Sequence, residues 1–75
     1  MIKLSQCAKG DILRVVKLNA TKELKQRLIS FGIMKESIVE VLAQAPAKAT
    51  IEIRVGKMTI ALRGQEADKI EVLKI

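Results

Sequence analysis

The spacing of apolar residues changes twice along this chain, and these two changes limit the folds that it can adopt. Between Thr21 and Phe31 the spacing is helical, because Leu24, Leu28 and Phe31 stand at positions i, i+4 and i+7. Before and after this segment, β-branched and alternating apolar residues are typical of strands. The sequence therefore predicts one substantial α-helix in a chain that otherwise consists mainly of β-strands.

Both ends of this helix carry local signals. The side chain of Thr21, or that of Asn19, can cap the first free amides. Gly32 stands where a left-handed residue commonly ends a helix, and Ile33 would then pack back on Leu28. We therefore expect the end of the helix to be fixed against the core.

Five strands are predicted around the helix. The first, Ile12–Leu18, is rich in β-branched residues, and we attribute its imperfect alternation to coverage on parts of both faces. After the helix the apolar period is two, which predicts four further strands at 38–42, 51–55, 58–62 and 70–75. Gly56 supplies the positive φ that a tight hairpin needs. Helical turns are predicted at 4–8, capped by Ser5, and within 64–69.

These elements most economically close into a small barrel, because an open five-stranded sheet of this size would leave one face bare. The predicted fold class is mainly β: a small SH3-like five-stranded barrel with one α-helix after the first strand and short helical turns. Residues 1–75 are expected to form a single domain. An OB-fold is the structural alternative, although that fold usually carries its helix between later strands.

Aliphatic packing must stabilise such a domain. Cys7 is the only cysteine and histidine is absent, so neither a disulfide framework nor a zinc-finger pattern is available. On an apolar face with Leu4, Cys7 is interpreted as a small buried hydrophobe, with a reactive thiol or metal ligand as the less favoured alternative. The sequence also has no glycine-rich phosphate loop and no serine–histidine or cysteine–histidine pair, so we predict no catalytic residues.

The basic charge points to an acidic protein partner. Lysine and arginine number 14 against 8 acidic residues, giving +6, but they are scattered and Phe31 is the only aromatic residue. Nucleic-acid binding is therefore disfavoured. The chain shows no secretory signal, and its longest charge-free runs, 28–34 and 41–47, cover seven residues, far below the roughly 20 of a membrane-spanning helix. We expect a cytoplasmic protein without direct membrane insertion.

Several segments together carry a family resemblance: RLISFGI at 27–33, IVEV at 38–41, AP at 45–46, and above all IALR at 60–63, followed by EA at 66–67. In this order and spacing they resemble the FeoA family, over essentially the whole chain from Gly10 to Val72. The chain departs from the family at two places. Glu36 stands where the family usually has glycine, and residues 47–50 replace a Gly-Asp-Pro type turn.

The resemblance implies a non-enzymatic accessory protein of bacterial ferrous iron uptake. FeoA proteins are small and cytoplasmic, and the implied partner is FeoB, a membrane permease, with docking to its cytoplasmic, GTP-hydrolysing part. Two alternatives remain at this stage. One is a free-standing, metal-sensing relative of the SH3-like barrel in diphtheria-toxin-repressor type regulators, and the other is a small RNA-binding barrel.

Five residues are predicted to contact the partner. Arg27 and Arg63 are interpreted as rim contacts or solvated charges, with an arginine finger for the permease GTPase as a less favoured alternative. Ala43, Ala45 and Pro46 belong to an apolar loop, predicted at 42–47 beside the end of the helix. The competing interpretation is a loop packed only on its own barrel.

Metal binding is not predicted from the residues. Glu66, Asp68 and Glu71 form the one acidic cluster, but it contains no histidine or thiol that could complete a selective ferrous site. A solvated turn with local ion pairs is the favoured interpretation. The resemblance to metalloregulator barrels leaves a weak divalent transition-metal site as an alternative, and no other cofactor is predicted.

Overall fold

Six antiparallel strands form one sheet in the computed structural model, which describes residues 1–75 except for the side chain of residue 48. Their order in the sheet is β1-β6-β2-β3-β4-β5. The bounds are β1 Ile2–Lys3, β2 Ile12–Leu18, β3 Ile38–Gln44, β4 Thr50–Val55, β5 Met58–Arg63 and β6 Ile70–Lys74. The predicted mainly β, SH3-like fold is confirmed, and β1 is a two-residue strand in addition to the five predicted.

The helices lie in the connections between strands. The main helix α1, Lys22–Ser30, follows β2, and the single turn α2, Gly64–Ala67, joins β5 to β6. Two 3-10 turns, Leu4–Gln6 and Pro46–Lys48, precede β2 and β4. No helix of the described residues has the length and apolar composition required to cross a membrane.

Every long strand contributes to a single hydrophobic core. The buried residues alternate along the strands, which shows that one face of each strand is turned inward. Since these inward faces share one cluster, the sheet must curl around it. The strand residues of the core are Leu13, Val15, Val39, Val41, Ile51, Ile53, Ile60, Leu62, Ile70 and Val72. Full burial of each such side chain stabilises the fold by about 1.5–3 kcal/mol.

A β-bulge explains the irregular pattern of β2. Leu13 and Val15 are buried and Arg14 is exposed, so the first half of the strand alternates cleanly. The register with β6 then shifts between Val15 and Lys17, which inserts Val16 as an extra residue. This insertion is a local cause of the imperfect alternation in β2.

The ends of α1 confirm two local signals. Thr21 Oγ1 accepts a hydrogen bond from the Leu24 amide at 3.3 Å, so Thr21 is the cap. Gly32 has a φ of 89°, and the Ile33 amide donates to the Leu28 carbonyl at 2.9 Å. This is the bond pattern of a glycine-terminated helix. It holds the end of α1 against the core, in which Leu28 is fully buried.

The N-terminal turn differs from its prediction. It covers only Leu4–Gln6, and the Gln6 side chain accepts a hydrogen bond from the Lys3 amide at 3.0 Å. Ser5 does not cap this turn, because its hydroxyl is buried and donates to the Asp68 carboxylate. The predicted cap is therefore wrong, since a buried hydroxyl found a tertiary acceptor instead of a local amide.

Two residues that are not glycine have a left-handed backbone. They are Glu36, with a φ of 78°, and Ala47, with a φ of 60°. Both stand at the two places where the sequence departs from the pattern of the family that it resembles. The hairpin at Gly56, whose φ is also 60°, forms as predicted between Val55 and Met58.

Candidate docking surface

The junction between α1 and α2 is organised around Glu66. The Glu66 carboxylate forms an ion pair with the Arg27 guanidinium, and its Oε1 accepts the Arg63 amide at 2.9 Å. The side chain of Glu66 is only 14% exposed, whereas that of Arg27 is 51% exposed. The two arginines predicted to contact a partner therefore meet at one carboxylate, and part of the Arg27 guanidinium still faces solvent.

The environment of Glu66 changes its acidity. Partial burial acts to raise the pKa of Glu66, but the hydrogen bond from the Arg63 amide and the ion pair with Arg27 together lower it below its ordinary value. The carboxylate therefore stays charged around neutral pH, and it holds the Arg27 side chain across the surface of α2.

The sheet brings Ala45 and Pro46 to the end of the barrel where Arg63 lies. The Ala45 amide donates to the Thr50 carbonyl at 2.9 Å, and Thr50 pairs with Arg63 across β4 and β5. Pro46 follows Ala45 directly and is exposed. Glu66 connects Arg27 to Arg63, and Thr50 connects Arg63 to Ala45, so we group Arg27, Ala45, Pro46 and Arg63 as one candidate surface, which we call the α2 end.

Two parts of the loop prediction are wrong. Residues 42–44 belong to β3, so Ala43 is an exposed strand residue opposite Glu52 and not part of a loop. The loop at Ala45 is also not beside the end of the helix. The end of the helix lies near Val55, because a Cβ added at Gly32 would be 3.5 Å from Val55 Cγ1. Ala45 bonds instead to Thr50, at the opposite end of β4. At 3.3 Å per residue, Thr50 and Val55 are about 17 Å apart along the strand.

Gln65 lies at the centre of the α2 end. It lines three shallow clefts, one shared with Arg27, one with Ala47 and one with Arg63. Polar and apolar groups line these open clefts in similar measure, which suits contact with another macromolecule better than enclosure of an apolar small molecule. Sequence reasoning missed Gln65, because a single polar residue on a one-turn helix gives no pattern.

The acidic cluster is divided among separate partners. Glu66 binds Arg27, Asp68 accepts from Ser5, and Glu71 accepts from the side chain of Asn19. Within the described part of the chain, no group of three or more histidine, cysteine, aspartate or glutamate side chains is placed to hold a metal ion. Each carboxylate therefore joins two segments that are distant in the sequence.

Cys7 is part of the core, as predicted. It is 2% exposed, and its Sγ donates to the Lys3 carbonyl at 3.6 Å. Burial raises the pKa of the Cys7 thiol above its ordinary value, and the Asp11 carboxylate adds to the increase while Lys74 opposes it. The group is consequently a neutral, shielded thiol at neutral pH.

Sequence reasoning also missed an apolar groove on the other flank of α1. Its apolar lining residues are Met1, Val16, Leu18, Ile29 and Met34, and Lys17, Lys25 and Lys35 lie at its rim. One sequence signal could have indicated it. Ile29 is a large apolar residue that falls outside the Leu24, Leu28 and Phe31 spacing of α1.

The curled six-stranded sheet with a helix after its first long strand defines a small SH3-like module. A family model described as the FeoA domain matches residues 2–74. The chain therefore belongs to the FeoA family, as its sequence pattern indicated.

Similar proteins agree with this assignment. A Campylobacter jejuni protein named Fe(2+) transport protein A is 38% identical over 69 residues, covering 92% of this chain and 93% of that protein. The solution structure of the FeoA protein from Chlorobium tepidum matches with a TM-score of 0.92 and 30% identity, covering 99% of this chain and 70% of that one. A manganese-dependent transcriptional repressor matches with a TM-score of 0.88 and 26% identity, covering 97% of this chain and 41% of that one.

Proposed function

We propose that this chain is a non-enzymatic, cytoplasmic accessory protein of ferrous iron uptake that docks on the cytoplasmic part of a FeoB-type permease and modulates transport. The observation that carries this proposal is the FeoA-domain match over residues 2–74, supported by a relative of nearly equal length whose name is that of an Fe(2+) transport protein. Iron is then the cargo of the permease, and this protein acts through a protein contact.

The α2 end is the proposed docking surface. Arg27 is half exposed, so its guanidinium can donate hydrogen bonds to a partner carboxylate while Glu66 holds it in place. Ala45 and Pro46 add small apolar groups near Arg63, which is itself an exposed basic residue. The net charge of +6 favours an acidic face on the partner. Ala43 extends the surface along the outer face of β3.

An arginine finger is a poorer explanation of Arg27. Insertion into a GTPase site would require the guanidinium to leave Glu66, and that carboxylate would then remain partly buried without its charged partner. Because Arg27 is half exposed, separating this pair has a modest cost, but that cost opposes insertion. A rim contact needs no such change, so we assign Arg27 to docking.

Titration calorimetry with two purified forms of the permease, its cytoplasmic GTPase domain and the full protein, tests this proposal. We expect saturable binding that is weakened at least about fivefold by Arg27→Gln and by Ala45→Trp, since rim charges and bulk affect association directly. Arg54→Gln is the matched control, because Arg54 is also 51% exposed and paired with one glutamate, Glu40. No binding to either form, with and without a GTP analogue and ferrous ion, would overturn the proposal.

A metal-sensing function is the second candidate, and one observation favours it. The fold matches a protein named as a manganese-dependent transcriptional repressor with a TM-score of 0.88. Anaerobic calorimetry with Fe²⁺ and Mn²⁺ separates the two candidates. Tight binding of either ion by this protein alone, lost in Glu66→Gln or Asp68→Asn, would support the sensor function instead.

A further inference from the structure

The groove on the flank of α1 combines exposed apolar side chains from separate parts of the chain. Met1 is 71% exposed, and Ile29 and Met34 are each 42% exposed. Val16 and Leu18 of β2 line the same groove. Large apolar residues brought together at the surface in this way commonly mark a contact site for another molecule.

The geometry of α1 explains why Ile29 cannot join the core. Successive helix residues are about 100° apart, so the burial of Leu28 turns Ile29 toward the flank. Lys25 lies one turn before Ile29 on that flank. Arg27 is about 200° from both residues, on the side of the α2 end. The groove is therefore separate from the proposed permease-docking surface.

The rim of the groove is positively charged. Among the described side chains, the ion pairs are Arg14–Glu36, Arg27–Glu66, Arg54–Glu40 and Lys74–Asp11. None of these pairs includes Lys17, Lys25 or Lys35. The residue opposite Lys17 on β6 is Glu71, but the Glu71 carboxylate accepts a hydrogen bond from the side chain of Asn19. The ammonium groups of these three lysines are therefore available to pair with carboxylates of a partner.

We propose that this groove binds an acidic amphipathic segment of a partner protein, with aliphatic side chains against Ile29 and Met34 and carboxylates against the three lysines. A helix with apolar residues at i, i+3 and i+4 and glutamates on its flanks has this chemistry. The exposed thioethers of Met1 and Met34 can adapt to different aliphatic partners.

Two other occupants fit the groove less well. A second copy of this chain would bring another molecule of charge +6 against a lysine rim, which opposes association. A bilayer surface is flat on this scale, whereas the lining residues lie in a depression between α1 and β2. An extended or helical segment can enter that depression.

The test uses a fluorescein-labelled synthetic peptide of about four helical turns, with leucines on one face and glutamates on the other. A scrambled peptide of identical composition is the control for net charge. We expect the amphipathic peptide to bind at least about tenfold more tightly in fluorescence anisotropy, with affinity falling as salt increases. The amide resonances of Lys17, Ile29 and Met34 should shift on binding, and those of the α2 end should not.

Variants inside and outside the groove give a matched comparison. Lys25→Glu and Ile29→Ser should each weaken binding about five- to tenfold, through loss of one rim charge and of one apolar contact. Lys57→Glu changes the net charge as Lys25→Glu does, but Lys57 lies in the turn between β4 and β5 and not in the groove, so this change should alter the affinity less than about twofold. Amide spectra of the free variants establish that each is folded.

Four outcomes would overturn the proposal. Equal binding of the scrambled peptide, or equal weakening by Lys57→Glu, would mean a general charge effect. Binding to anionic phospholipid vesicles but not to the peptide would mean a membrane contact. Concentration-dependent shifts of the groove residues without peptide would mean self-association. Because the probe is synthetic, none of these outcomes depends on whether the permease is the partner of the α2 end.

Discussion

Arg27 on α1 and Glu66 on α2 form an ion pair although they are 39 residues apart in the sequence. Glu66 also accepts the Arg63 amide at the start of α2, so one carboxylate caps a helical turn and joins it to another helix. Because α2 is a single turn, it has little stability of its own. We therefore expect Glu66 to determine whether α2 keeps its position.

Replacement of Glu66 should separate these two roles. Glu66→Gln keeps an acceptor for the Arg63 amide but loses the charge, and should cost about 0.5–1 kcal/mol of unfolding free energy. Glu66→Ala loses both interactions and should cost about 1–2 kcal/mol. Urea unfolding at neutral pH measures both values. An equal cost for the two variants would contradict the capping role.

The same carboxylate should make stability depend on pH. Its pKa is lowered in the folded protein, so its stabilising contribution is present above the ordinary glutamate pKa of about 4.3 and is lost as the pH falls through the lower folded value. The difference in unfolding free energy between wild type and Glu66→Gln should be largest near pH 7 and should shrink below about pH 4. A difference that is constant from pH 7 to pH 3 would contradict this assignment.

Replacement of Ala47 by glycine should stabilise the folded protein. Its φ of 60° and ψ of 18° lie in the left-handed region, which is strained for a residue with a Cβ. Ala47→Gly should therefore raise the free energy of unfolding by about 0.5–1 kcal/mol. Ala49→Gly is the matched control, because Ala49 has a right-handed φ of −62° and the change should lower stability. The same sign for both variants would refute the strain argument.

Glu36 offers an independent test of backbone strain. Its φ is 78°, and its one ion pair among the described side chains is a 4.0 Å contact with the exposed Arg14, which contributes little. Glu36→Gly should raise the thermal midpoint, with a gain of about 0.5–1 kcal/mol. Lys35→Gly, one residue earlier and without a positive φ, should lower it. Calorimetric scans of the two variants provide the comparison.

The Cys7 thiol should react slowly in the folded protein. It is 2% exposed, and burial together with Asp11 raises its pKa, so little reactive thiolate forms at neutral pH. Reaction with a disulfide reagent at pH 7.5 should be at least about a hundredfold slower than in denaturant. Asp11→Asn should leave this protection in place, because burial is its main cause. Rapid labelling of the native protein would contradict the buried position.

Local signals in the sequence were sufficient where neighbouring residues interact. Thr21 caps α1, Gly32 ends it, and Gly56 forms the hairpin, because in each case the backbone geometry depends on only a few adjacent residues. The failures concern contacts over long distances. Ser5 was expected to cap its own turn but donates to Asp68, which is 63 residues away.

The sequence by itself determined the kinds of elements, their order, the mainly β fold and the family. Apolar periodicity and glycine positions encode these features locally, and the family pattern extends over nearly the whole chain. Only the tertiary structure decided the rest. A strand as short as β1 exists only because β6 provides its hydrogen-bonding partners, with Ile2 opposite Val72. The junction at Glu66 and the lysine-rimmed groove likewise require distant segments to meet, and that arrangement depends on how the sheet curls around its shared core.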